Sequence, residues 1–155
     1  MIYGIRETVV KDCIPIFLLR NEPVVRDNSI STNRINEAEH TRWFTGALSN
    51  AAFQFYTIVD EAGGFSGYIR YNAIKATAIV SLALIRECRG KGVAKNLLNV
   101  SLKRIKNKLD IMSVTAVVRI DNIASCKLFL SCGFHFSLSK KISGIQYNEY
   151  VYAFK

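Results

Sequence analysis

The run Ala76–Ile85 constrains the fold more than any other segment. It is almost wholly apolar, broken only by Thr77 and Ser81. It is far too short to span a bilayer and reads as a strand buried on both faces. After the short polar stretch Arg86–Gly92, Ala94, Leu97, Leu98, Leu102, Ile105 and Leu109 step by three and four. That spacing predicts a helix with one apolar stripe. A strand buried on both faces needs helices to cover it, so the chain is expected to be α/β. The 155 residues are 50% apolar and 21% charged, enough for one domain with a real core and too apolar for a disordered chain.

Other segments extend the pattern. Ile2–Glu7 is a strand candidate. Asp12 is placed to N-cap a first helix reaching about Asn21, with Pro15 in its first turn. Glu22-Pro23 stops that helix, and Val24–Ile35 reads as a loop. Asn36 with Glu39 resembles a capping box opening a helix over Glu37–Leu48. Phe53–Val59 and Phe65–Tyr71 form a hairpin around Asp60–Gly64, and Ser113–Val118 is a β-branched strand. Asn122 caps a last helix that ends at Cys132, with Gly133 in the left-handed C′ position. Phe134–Ser139 and Tyr147–Phe154 close the chain as a hairpin through Ser143-Gly144. The expected order is β-α-α-β-β-β-α-β-α-β-β, a mixed sheet under helices.

The 21 Lys and Arg exceed the 12 Asp and Glu, giving net +9. Such a charge attracts a polyanion or a phosphate-bearing small molecule. No helix-turn-helix, zinc or RNA-binding signature supports a nucleic-acid role. Cys13, Cys88, Cys126 and Cys132 lack metal-ligand spacing, so no metal is expected. They read as reduced thiols of a cytoplasmic protein. Arg6, Glu7, Lys11 and Asp12 leave no room for a signal-peptide core, and no membrane association is expected.

The segment Arg89-Gly90-Lys91-Gly92-Val93-Ala94 lies between the buried strand and the amphipathic helix. Its glycines admit close backbone approach, and the helix N-terminus behind them offers unpaired N–H groups. Arg86, Arg89, Lys91 and Lys95 crowd the same end. These features suit a pyrophosphate, or else form a tight turn with solvated lysines. About thirty residues downstream, roughly three helical turns and a strand away, stands Asn122-x-x-Ser125 and then Gly133-Phe134. The two segments together resemble the Gcn5-related N-acetyltransferase (GNAT) superfamily. Its [R/Q]-x-x-G-x-[G/A] motif is met by Arg89, Gly92 and Ala94.

The resemblance implies a mostly antiparallel sheet of about seven strands flanked by about four helices, one N-acetyltransferase domain over residues 1–155, and acetyl-CoA as cofactor. It implies that main-chain N–H groups of Gly90–Lys95 hold the pyrophosphate, that Leu84 and Ile85 pair with the pantetheine arm, and that Asn122, Ser125 and Phe129 flank its thiol end. A backbone N–H near Leu84, freed where the strand splays, is the implied oxyanion donor. Many members carry a Tyr general acid where this chain has Phe129, so that role is unfilled. Ser125, one turn earlier, could carry a water. Thiolate departure needs little help, since a thiol pKa is about 8.5.

His40 is a candidate base, or a surface histidine. The acceptor is expected to be a small-molecule primary amine. The stretch Arg20-Asn21 to Trp43-Phe44, with Phe129 in place of Tyr, looks like the branch that acetylates amino-deoxy sugars on UDP or dTDP in surface-glycan synthesis. Arg26, Asn28, His40, Trp43 and Tyr71 are the expected acceptor contacts, and Tyr68, on the same strand as Tyr71, is a further candidate for the pocket lining or else a core residue. A protein N-terminal acetyltransferase and a non-catalytic CoA-binding module are the alternatives. A monomer or a homodimer fits equally.

Overall fold

The strands β1 (Tyr3–Glu7), β2 (Phe53–Asp60), β3 (Phe65–Ile74), β4 (Thr77–Leu84), β5 (Ser113–Arg119), β6 (His135–Ile142) and β7 (Ile145–Ala153) form one sheet in the order β1-β2-β3-β4-β5-β7-β6 in the computed structural model, which describes residues 1–155. Every neighbouring pair is antiparallel except β4 and β5. That parallel pair is joined by the crossover helix α4 (Val93–Ile105), as parallel strands require. Helices α1 (Cys13–Arg20), α2 (Pro23–Asp27) and α3 (Glu37–Leu48) belong to one face of the sheet. Helices α4 and α5 (Ile123–Ser131) cover the other.

The pleat sorts the core into two clusters. Ile69 and Tyr71 of β3 join Leu98, Ile105, Val114 and Phe134 beneath α4 and α5. Tyr68, Phe55 and Ala83 join Ile16, Leu19 and Phe44 beneath α1 and α3. The side-chain period of two places neighbours on one strand in different cores.

Local signals read from the residues hold at several ends. Asn36 Oδ1 accepts from the N–H groups of Ala38 and Glu39 at 2.8 and 3.3 Å, and α3 spans Glu37–Leu48. Asn122 Oδ1 accepts from Ser125 N–H at 3.3 Å. Gly133 is left-handed at φ +89°, and Phe134 turns back to donate its N–H to the Phe129 carbonyl at 3.1 Å.

Two expectations are corrected. Asp12 holds the N-cap position of α1, but its side chain caps no N–H of that helix. Its carboxylate takes both Arg6 guanidinium N–H groups at 2.7 and 2.8 Å, Val9 N–H at 2.9 Å and Thr57 Oγ1–H at 3.0 Å. Burial raises its pKa, but these donors outweigh that and hold it below the usual carboxylate value. The stretch after Glu22 is not all loop. Pro23 opens the short helix α2, where its fixed φ and missing N–H cost nothing.

Candidate active site

Strands β4 and β5 pair only from Thr77–Ser113 to Ile79–Thr115. Beyond that point β4 stays with β3 as far as Leu84–Gly67, and β5 stays with β7 as far as Arg119–Tyr147. The sheet opens between them into a cleft of about 1000 Å³. Ile85 N–H donates to Ser66 O on β3 at 3.0 Å. By the alternation of a strand, Leu84 N–H and Leu82 N–H point the other way, into the opening. The Leu84 carbonyl accepts from Arg89 Nε at 2.9 Å. Gly67 makes this strand end possible. Its φ is +152°, and a Cβ there would collide with the Ala83 carbonyl oxygen.

The outer end of the cleft is the N-terminus of α4. Gly92 is its N-cap at φ +75° and Gly90 stands at φ +72°, conformations that strain other residues. No side chain caps this helix, in contrast to the asparagines on α3 and α5. A Cβ at Gly90 or Gly92 would meet nothing within 4 Å, so the space over the loop is open. Uncapped N–H groups, open space and the cleft-lining Lys95 and Lys127 fit the diphosphate of CoA. Gly90, Gly92, Val93, Ala94 and Lys95 line the cleft. Arg89 lines it too, but its charge is spent elsewhere: Nη2 bridges to Glu22 Oε2 at 2.7 Å. Ile85, Arg86 and Lys91 are not brought to the cleft. Ile85 packs at the core edge, Arg86 points to solvent, and Lys91 lines a separate hollow beside Tyr3.

The α5 wall presents Asn122, Ser125 and Phe129. Phe129 is buried and stands edge-on to Phe134, ring centroids 5.0 Å apart. It offers surface for packing and no hydroxyl.

On the acceptor side, Arg26 and Asn28 line the cleft. Three other expected contacts are corrected. Tyr71 lies on the opposite face of the sheet, fully buried, its hydroxyl 2.6 Å from Ser101 Oγ. Burial drives its pKa upward. Tyr68, three residues earlier, is the β3 tyrosine that lines the cleft, because an odd step along a strand changes face. His40 is neither a surface residue nor a cleft residue: it is 1% exposed. Its Nδ1 lies 3.1 Å from Arg20 Nη1 and its Nε2 lies 2.9 Å from the Cys13 carbonyl. A guanidinium only donates, so Nδ1 accepts and Nε2–H donates. Burial, reinforced by the Arg20 charge, lowers the His40 pKa despite the Cys13 carbonyl. Trp43 sits behind the wall, with the Arg20 and Arg70 guanidinium carbons 4.5 and 4.9 Å from its ring centroid.

Sequence reasoning did not single out Arg20 or Arg70, both of which line the cleft. The available signal was an arginine at a core-facing position of a strand, with no acid opposite it. No Asp, Glu or His lines the cleft.

Residues 4–135 match the acetyltransferase (GNAT) domain family. The chain is 33% identical over 109 residues to YwnH of Bacillus subtilis, described as a candidate phosphinothricin acetyltransferase. That match takes in 66% of this chain and 65% of YwnH, so the chain spans just under two thirds of that relative's length. The fold resembles that of Vibrio cholerae spermidine N-acetyltransferase with CoA and spermine, at TM-score 0.87 and 18% identity, over 97% of this chain and 95% of the other. It also resembles a phosphinothricin acetyltransferase of Sinorhizobium meliloti with acetyl-CoA, at TM-score 0.85 and 22% identity, over 99% and 89%. With the split between β4 and β5, the uncapped glycine entry to α4 and a domain match over most of its length, the chain belongs to the GNAT acetyltransferase family.

Proposed function

We propose that this protein transfers an acetyl group from acetyl-CoA directly to the primary amine of a small acceptor, and that the acceptor is an amino-deoxy sugar carried on a nucleotide. The observation that carries the transfer reading is the sheet opening itself. It aims Leu84 N–H into a cleft whose far end is an uncapped helix N-terminus.

Bound acetyl-CoA supplies an activated thioester. The chain's own residues do the rest. Main-chain N–H groups at Gly92–Lys95 hold the diphosphate. The β4 edge and Val117–Val118 of β5 line the cleft and would flank the pantetheine arm. Leu84 N–H is oriented to donate to the carbonyl oxygen as negative charge develops on it, a contribution of about 3 kcal/mol for one such donor. Arg89 steadies the adjoining Leu84–Ile85 peptide by donating to its carbonyl. Phe129 and Leu128 exclude water near the thiol end.

The nucleotide-sugar acceptor is supported by cleft-lining Arg26 and Asn28, and by cationic lining with room for a diphosphate. The same acid-free lining supports a second acceptor, a free anionic amino acid, the class to which the substrate named for YwnH belongs. The test is thiol release from acetyl-CoA with UDP- and dTDP-linked amino sugars, beside calorimetric titration with acetyl-CoA alone. Turnover with a nucleotide sugar well above that with free amino acids is expected. The reverse order replaces the acceptor, and absence of heat with acetyl-CoA removes the enzymatic reading.

A further inference from the structure

Two arginines stand in the cleft wall with too few partners. Arg70 projects from β3 onto the α1/α3 face. It makes one side-chain hydrogen bond, from Nη2 to Ser81 Oγ at 3.2 Å, and its Nε is buried without a partner. Arg20, at the end of α1, makes its one side-chain hydrogen bond to His40 Nδ1. Each guanidinium carries five N–H donors. Neither forms an ion pair, whereas five other basic side chains in the molecule do. Both lie over the Trp43 ring, whose face attracts cations and holds two like charges in one neighbourhood. A third guanidinium, Arg26, also lines the cleft with its Nε buried and unpaired. Half-buried cations without acids are costly unless an anion completes them.

We infer that Arg20 and Arg70, held over Trp43, are the seat for an oxyanion, carboxylate or phosphate, carried by the amine acceptor. The Ser81 contact fixes one end of this seat. Ser81 precedes Leu84 by three residues, about 10 Å along a strand. The anion and the reacting nitrogen therefore occupy separate ends of the acceptor. His40 is a positioning residue here, since its neutral Nδ1 orients Arg20 and its Nε2–H anchors the ring to α1. The inference deepens the proposed acetyl transfer and rests on it. It disfavours polyamine acceptors, which bring only positive charge.

Matched acceptors test the seat, each kcat/KM being corrected for the neutral fraction of that acceptor's amine. L-Glutamate is compared with its dimethyl ester, glucosamine 6-phosphate with glucosamine, and spermidine is added as a cation. The anionic member of at least one pair is expected to show kcat/KM tenfold or more above its neutral partner. The pair that responds identifies carboxylate or phosphate as the source. Arg20→Ala and Arg70→Met are expected to erase that preference through KM. Arg70→Lys, which keeps the charge, should restore part of it. Unchanged acetyl-CoA affinity certifies the fold of each variant. Equal rates within both pairs, preference for spermidine, or a preference that survives both substitutions overturns the seat while leaving acetyl transfer intact. If no amine turns over, the transfer reading fails, and thermal shift with the same pairs decides the seat alone. Stabilisation by the anion over its neutral partner supports it; equal or absent shifts overturn it.

Discussion

His40 has both ring nitrogens occupied inside the protein, one by Arg20 and one by the Cys13 carbonyl. It has no free lone pair with which to take a proton from an amine. Its surroundings are rings: Phe17, Trp43 and Phe44 lie with centroids 5.4 to 5.8 Å away. Replacing it with Ala should cost about 2–4 kcal/mol of stability through the cavity and the orphaned carbonyl. It should also raise the acceptor KM several-fold as Arg20 loosens. The pH–rate profile should keep its shape. A true base would instead lower kcat and delete an inflection from that profile. Steady-state kinetics across pH on the refolded or native variant separates the two. The residue type drew attention to His40, but its role was set by what packs around it, and that is long-range information.

The elements that position the cleft were legible to different degrees. Helix α3 and the cap of α5 follow from asparagines that bond to the next turn, an interaction contained within three residues of sequence. The glycine entry to α4 was equally local. The misplacement of Tyr71 shows what was not local. A strand's period of two is visible in sequence, but which face meets α4 depends on register with β2 and β4. Asp12 failed as a cap because Arg6 and Thr57, on two other strands, claim its carboxylate. Gly67 belongs to the same scale. It lets β3 approach β4 where Leu84 must be held, and Ala there would force the Ala83 peptide aside. Gly67→Ala should lower the thermal midpoint and cut kcat about tenfold or more, with smaller change in acetyl-CoA affinity. The expected size corresponds to partial loss of the proposed oxyanion donor, Leu84 N–H. Gly4→Ala, at a strand position where a Cβ meets nothing within 4 Å, is the matched control and should be near neutral.

At the scale of the whole molecule, charge is partitioned. Basic residues in and just after α4 that could suggest a polyanion surface are partly tied to β1. Arg104 of α4 donates to the Ile5 carbonyl at 3.2 Å, and Lys108, beyond the helix end, pairs with Glu7 at 3.0 Å. The cleft, by contrast, is lined by Arg20, Arg26, Arg70, Arg89, Lys95 and Lys127 and by no Asp, Glu or His. Of these cations only Arg89 is paired with an acid, Glu22 behind the lining. In the proposed transfer, a protonated amine entering this field would meet repulsion and no base in the lining, so it would shed its proton to water and react as the neutral form. Below the amine's pKa the neutral fraction grows tenfold per pH unit. The slope of log kcat/KM against pH should therefore be about 1 up to that pKa and flat above it, with no second limb between pH 5 and 8. The acceptor, not the protein, sets the inflection. Two acceptors whose amine pKa values differ by about one unit should shift the inflection by about one unit. An inflection that stays near 6.5 for both would place an imidazole in the reaction path. With acceptors that carry no phosphomonoester, a slope of 2 at low pH would likewise demand a titrating protein group beside the amine.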